Sequence, residues 1–540
     1  MFESPALLPA KAGRRRSRRT IVAAAAVFVG LAVVATSAFQ PPNLRAARSD
    51  IRVFMGAATS LDPAIQADAA SAQIDAQLFE PLTAVDASQR VQPALAASWE
   101  TLDGGRRIAF HLRPNLTFSN GSPLAAKDVV ASWMRVLALA GQGGLASLLD
   151  DVVGAEAYAK GTAPASGVGL HATDAATIQV DLTSPASDFA AIASSPTLAI
   201  VPPGLNSNPN LLKPGSFVGS GAYVLSAVTA AETTLVANSH YWAGKPAVTT
   251  VHVMNDIGGQ SPVDVFLAGQ LDYAPISSFD ATWIAYDRTL GPALRLVPTA
   301  SVEYYGFDTT KPPFSDVHVR RAFAMGIDWR RLVTLLDDPT EQPATGMVPP
   351  GIPGHSGTDF VPKFDVAAAK SELAQAGYPN GAGFPKIILM TPGGSVDAAI
   401  VAQLHSNLGI DIGYETLDFA TYSERLANDP PAFWEQDWQA DYPGAYDFLG
   451  ILLGTGKANN YGHWSNADFD AALGKALSAG DPTSAQTAFD QAQTVVQDQA
   501  PVIPVDNGTS YWLAAKGLLG ATPNGQGLVR FAGLAWASGS

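Results

Sequence analysis

The chain contains no cysteine. Structural disulfides, iron–sulfur clusters, thiolate zinc sites and thiol nucleophiles are therefore excluded. Histidine is scarce too: the eight present are scattered singly, with no pair at metal-ligand spacing, so no metal site is expected. No P-loop, HExxH pair, GxSxG elbow or GxGxxG run occurs anywhere, and no catalytic residue and no cofactor is assigned. Basic charge is short, with 33 Lys and Arg against 48 Asp and Glu and a net charge of −15. Six of the basic side chains and one Glu lie in residues 1–38, so the remainder carries −20. A surface of that sign cannot replace phosphate counterions, which excludes nucleic acid as a partner.

What is present begins with a leader. A basic block from Lys11 to Arg19 precedes an apolar run from Ile21 to Phe39, broken only by Thr36 and Ser37. This is the layout of an export signal, with Thr36, Ser37 and Ala38 as small residues at a cleavage point. The run also reaches the ~20 residues a membrane anchor needs, so residues 1–38 are read as a signal peptide or an uncleaved anchor. "SRRTIV" (Ser17 to Val22) is similar to a twin-arginine export motif. Residues 39–50, rich in Pro and Arg, read as a linker. The body is then expected outside the cytoplasmic membrane, and at 540 residues it exceeds one core, predicting at least two lobes.

Along the body, strands and helices mix. "IAFHLR" alternates Ile108, Phe110 and Leu112, and "TIQVDL" alternates Ile178, Val180 and Leu182, the period of half-buried strands. Val129, Trp133 and Leu137 fall four apart, one helical face. "SDVHVRRAFAMGID" aligns Val319, Ala322, Phe323 and Gly326; "FDVAAAKSELAQAG" starts at an Asp365 cap and stops at Gly377. Phe469, Leu473, Ala476 and Leu477 form a stripe near the C-terminus. "VGSGAY" (Val218 to Tyr223) lacks the spacing of a nucleophile elbow and reads as a glycine turn entering a strand. His463 reads as a loop or core histidine. Mixed α/β lobes are expected rather than a solenoid.

The most unusual stretch is "WEQDWQADYPGAYDFL", Trp434 to Leu449, which crowds acids and aromatics with no basic residue. Glu435, Asp437 and Asp441 could suggest a glycoside hydrolase, but such carboxylate pairs usually come from separate strands at a defined distance. By residue type alone, Asp441 suits a turn or helix cap, and Trp438 suits a core.

Ten segments, taken together, change that reading. "SLDPA" (Ser60 to Ala64), "LFEPLTAVDASQRVQPALAASWE" (Leu78 to Glu100), "IAFHLRPNLTFSNGSPLAAKDVVASWMR" (Ile108 to Arg135), "GSGAYVL" (Gly219 to Leu225), "NSHYW" (Asn238 to Trp242) and "FLAGQLD" (Phe266 to Asp272) occur in order. "KPPFSDVHVRRAFAMGID" (Lys311 to Asp328), "AKSELAQAGYPNGAGFP" (Ala369 to Pro385), "ADYPGAYDFL" (Ala440 to Leu449) and "DQAPVIPV" (Asp498 to Val505) follow. From about Ile51 onward the chain closely resembles the peptide-class solute-binding proteins of ABC importers, the family of oligopeptide, dipeptide and nickel receptors.

The resemblance implies a bilobal α/β periplasmic-binding-protein fold with a two-strand hinge. Residues 51–300 and 500–540 would form the first lobe, with an extra subdomain at about 72–210, and 301–499 the second. It implies a non-enzymatic, monomeric receptor that captures a peptide between the lobes and delivers it to a membrane permease. It also implies site residues. "WQAD" matches the family's W-x-x-D motif, in which the aspartate pairs with the ligand's α-ammonium, so Asp441 becomes the ligand acid and Trp438 a pocket wall. Tyr304 and Tyr305, at the first crossing, become candidates for the cleft floor.

Two departures qualify the match. With no cysteine, a lipid cannot retain the protein, leaving free secretion, a periplasm-like space or the uncleaved anchor. "MTPGGSVDAAIVAQLHSNLG" (Met390 to Gly409) has no basic residue besides His405, so the arginine that clamps a dipeptide's carboxylate is missing. Oligopeptides, held through backbone hydrogen bonds, need none. A non-peptide solute (an oligosaccharide, metal complex or glycolipid precursor) stays open, as does a ligand-free envelope scaffold.

Overall fold

The computed structural model describes residues 48–142, 145–336, 342–394 and 396–538. The leader, and the expectation of a signal or anchor, lie outside the described residues. Among the described residues no helix is long and apolar enough to cross a membrane.

Two mixed sheets organise the chain. The first has seven strands in the order Leu294–Pro298, Thr509–Ala514, Tyr273–Ile276, Asp50–Phe54, Thr250–Met254, Glu232–Ala237, Tyr223–Val228. The second has six: Gln342–Pro343, Val502–Asn507, Ser301–Phe307, Phe433–Gln439, Ile388–Thr391, Gly413–Thr416. The chain passes from first to second between Pro298 and Ser301, and returns at Gly508 between strands Val502–Asn507 and Thr509–Ala514. The return thus falls eight residues beyond the boundary at 500 read from the sequence. Val502–Asn507 pairs with Ser301–Phe307, which keeps it in the second sheet.

A four-stranded antiparallel sheet carries the alternating segments read from the sequence: Ala96–Leu102, Arg107–Leu112, Thr177–Asp181, Leu170–Ala172. Its core, drawn mainly from residues 64–218, includes Ile108, Phe110, Ile178, Val180 and Trp133 of helix Ala126–Ala138. Helix Val366–Gln375 begins where Asp365 accepts from the Ala368 N–H, and helix Ala467–Leu477 buries Phe469, Leu473, Ala476 and Leu477.

The second sheet is covered on both faces, and strand alternation distributes its side chains between two cores. Val302, Tyr304 and Trp434 enter one; Tyr305, Phe307 and Phe433 enter the other. Gly306 is opposite Trp434, whose ring fills the space a side chain would need: a Cβ there would come within 2.1 Å of it. The glycine turn "VGSGAY" is similarly explained. Cβ atoms on Gly219 and Gly221 would lie 2.2 and 2.4 Å from the carbonyl oxygens of Leu78 and Gln77, at the end of helix Ala69–Leu78. Ser220 between them is buried, donating to the Ile200 carbonyl at 2.5 Å and accepting from the Glu80 N–H at 2.9 Å. It is a structural clasp.

Candidate functional site

A cavity of about 690 Å³ is walled by both sheets. The first contributes Met55, Pro275 and Trp512, together with the N-terminal turn of helix Ala69–Leu78; the second contributes Gln439, Ala440 and Asp441 from the end of strand Phe433–Gln439. Its surface is mostly small and apolar, and among the described residues the charged ones that line it are Asp68 and Asp441.

Those two acids differ in their surroundings. Asp68 caps helix Ala69–Leu78, accepting from the Ser71 N–H at 2.8 Å, the Ser71 hydroxyl at 2.6 Å and the Thr59 hydroxyl. Burial opposes its charge, but these donors prevail and hold its carboxyl below the usual range. The Asp441 carboxylate meets neither a donor nor a base among the described residues. Burial alone pushes its pKa up to about 6.

The backbone that presents Asp441 is held from three sides. Ser301 pairs with Gln439 in the sheet, and the Ala440 N–H donates to the Ala300 carbonyl at 2.8 Å, which pins the strand end beside the crossing. The Gln526 side chain donates to the Asp441 carbonyl at 2.9 Å, and Gln439 donates to the Gly525 carbonyl at 3.0 Å. On the remaining side, buried Asp447 accepts from the Asp441 N–H at 3.2 Å and from the Trp438 indole N–H at 3.0 Å. The next residue, Tyr442, points elsewhere. Its ring enters the core of the four-stranded sheet and its hydroxyl donates to Asp188 at 2.8 Å.

Of the four site residues read from the sequence, the structure puts only Asp441 on the cavity wall. Trp438 is not among the lining residues: it packs against the second-sheet core and donates its N–H to Asp447, two positions before the lining residue Ala440. Tyr304 and Tyr305 do not line the cavity either. Both are at most 1% exposed, on opposite faces of a sheet covered on both sides, so neither reaches a cleft floor. The floor is instead Trp512, stacked on Tyr273 with ring centroids 4.9 Å apart. Sequence reading missed Trp512 and Gln526. "SYWLA" looks like any buried strand and "NGQG" like any turn; nothing local ties either to a motif more than 70 residues upstream.

With this geometry in view, comparison with known proteins is direct. Residues 90–460 match the model of the bacterial extracellular solute-binding proteins, family 5 Middle. The chain is 33% identical over 471 residues to the probable deoxycholate-binding periplasmic protein YgiS of Escherichia coli, covering 83% of this chain and 85% of YgiS. It is 25% identical to the oligopeptide-binding protein OppA of Bacillus subtilis, covering 87% and 90% of the two chains. Its fold superposes on the unliganded open form of the murein tripeptide binding protein MppA with a TM-score of 0.79 at 24% identity, over 91% of this chain and 97% of that one. The chain belongs to the family 5 bacterial extracellular solute-binding proteins, the bilobal receptors that serve ABC importers.

Proposed function

We propose that this receptor captures peptides with a free amino terminus, oligopeptides rather than dipeptides, and that Asp441 is the acid that meets their ammonium group. One observation carries the reading: a largely buried carboxylate stands on the wall of a cavity where, among the described residues, it has no partner and there is no base. Burying an unpaired charge is costly, and a cationic cargo offsets that cost on arrival. The cavity volume suits a short peptide or part of a longer one. Trp512, Met55, Leu528 and the alanines at 67, 69, 70 and 72 supply apolar walls for side chains of varied identity. A peptide's terminal carboxylate finds no base there, which favours chains long enough to carry it beyond the lining. The protein would act outside the cytoplasmic membrane as a monomer without chemistry of its own, and no lipid on a cysteine could hold it.

A second reading has a specific observation in its favour. The walls are apolar enough for a rigid hydrophobic body, and one relative is named as a probable deoxycholate-binding protein. Deoxycholate, however, carries a carboxylate, and here it would face Asp441 with no base to receive it. Calorimetric titration separates the two, using trialanine, tetra-alanine, their N-acetyl forms and deoxycholate. Replacing Asp441 by Asn is expected to weaken the free-amine peptides about 10- to 100-fold, as for loss of a charged hydrogen bond, and to leave the acetylated ones unchanged. Equal losses for both, or tight deoxycholate binding by the unaltered protein, would overturn the assignment.

A further inference from the structure

The family motif accounts for Asp441 and for the tryptophan three residues before it, but not for Asp447, which touches both. Asp447 lies in the first turn of helix Ala445–Leu453 and is wholly buried. Its Oδ2 accepts from the Trp438 indole at 3.0 Å and from the Asp441 N–H at 3.2 Å, whereas its Oδ1 is buried with no hydrogen-bond partner. We propose that Asp447 is a neutral carboxylic acid that serves as the positioning residue of the cargo site, tying Trp438 to the Asp441 backbone while adding no second negative charge beside Asp441.

The two oxygens divide accordingly. Oδ2, with two donors aimed at it, is the carbonyl oxygen; Oδ1, with none, carries the proton. The charged groups that bear on Asp447 are Asp441 from its own segment and Asp188 from the four-stranded-sheet subdomain, both acids. Tyr442 engages Asp188, and Lys457 lies over the Tyr446 ring, 5.8 Å from its centroid, so neither supplies Asp447 with a counter-charge. Burial first, and the Asp441 charge second, raise the Asp447 carboxyl well above its ordinary range. Were both acids ionised, two like charges would share one desolvated corner, and Asp441 could not rise to meet a cation without its neighbour competing for it.

The role rests on Asp441 being the ammonium site, so its test has one readout that needs no cargo. In ligand-free protein labelled with ¹³C at aspartate carboxyls, the resonance lost in Asp447→Asn should show a protonated shift at pH 7. Asp441, identified by the resonance lost in Asp441→Asn, should keep its midpoint near 6 in the Asp447→Asn variant, because one neutral group has replaced another. An ionised shift for Asp447 at pH 7, or an Asp441 midpoint falling by a full pH unit in Asp447→Asn, overturns the proposal. Trialanine titration then reads positioning. Asp447→Ala, which removes the oxygen that accepts from both donors, should weaken binding about tenfold; Asp447→Asn, which retains an acceptor, should restore at least most of that loss. Equal weakening in both variants removes Asp447 from the positioning role. If trialanine fails to bind the unaltered protein while the carboxyl shifts come out as expected, the peptide assignment falls and the neutral acid stands.

Discussion

Two buried acids show what the fold does with negative charge. Glu80, 1% exposed, receives the Arg530 guanidinium and, at 3.2 Å, the Tyr241 hydroxyl, and Arg530 donates to Tyr241 at 3.0 Å. Among the described residues the Asp441 carboxylate receives no donor. Where an acid joins the first lobe to its own C-terminal segment, the chain supplies a base; at the cavity wall it supplies none. A missing partner does not by itself mark a site, however. Asp75, in helix Ala69–Leu78, is wholly buried with both oxygens unpartnered, yet it does not line the cavity. It is the access of Asp441 to a cavity, combined with its lack of a base, that distinguishes a reserved charge from a merely neutralised one.

The contrast can be broken from its strongest side first. Replacing Arg530 by Met leaves Glu80 buried and uncompensated, and should destabilise the protein by about 3 kcal/mol in urea unfolding. A loss below about 1 kcal/mol would mean Glu80 finds another donor, and the two acids would no longer differ in kind.

Asp441→Asn should do the reverse in the ligand-free protein. Its folded pKa, about 6, lies above the ordinary aspartate value, so the folded state favours the protonated acid. That contribution is whole below about pH 4 and is lost as pH rises through 6. The variant should therefore gain about 1–2 kcal/mol at pH 8 and nothing at pH 4, a figure already reduced for the partial solvent exposure of the side chain. Burial likewise raises Asp188 to about 6, so its contribution is lost over the same window, and unfolding curves of the unaltered protein should show stability decreasing from about pH 4 to pH 7 on account of these groups. The smallest effect belongs to Asp75. Burial raises its carboxyl well above the usual range, so Asp75→Asn exchanges one neutral group for another and should shift stability by less than about 1 kcal/mol at pH 7. A stabilisation of several kcal/mol would show that Asp75 is ionised.

Much of this architecture could be read in the sequence because it rests on local periodicity. The alternation of Ile108, Phe110 and Leu112, the stripe through Val129, Trp133 and Leu137, and the Asp365 cap each act within a few residues. The expectation of a crossing near Ser301 came from the family resemblance instead, and the chain does leave the first sheet for the second between Pro298 and Ser301. Tyr304 and Tyr305 were not, because whether an alternating strand has one covered face or two depends on helices encoded elsewhere. The motif "WQAD" drew attention to Asp441, which lines the cavity, but gave no sign that its tryptophan N–H goes to Asp447. Trp512 and Gln526 complete the wall from the far end of the chain, and only the return at Gly508 brings them there.

One further consequence follows from the neighbouring positions 441 and 442. The first faces the cavity; the second is lodged in the subdomain core with its hydroxyl on Asp188. Adjacent Cα atoms are ~3.8 Å apart, so there is no slack between the two. Any shift of the Asp441 backbone is therefore passed straight to Tyr442 and to the core of the four-stranded sheet in which its ring is lodged, so this one peptide link couples the cavity wall mechanically to that core.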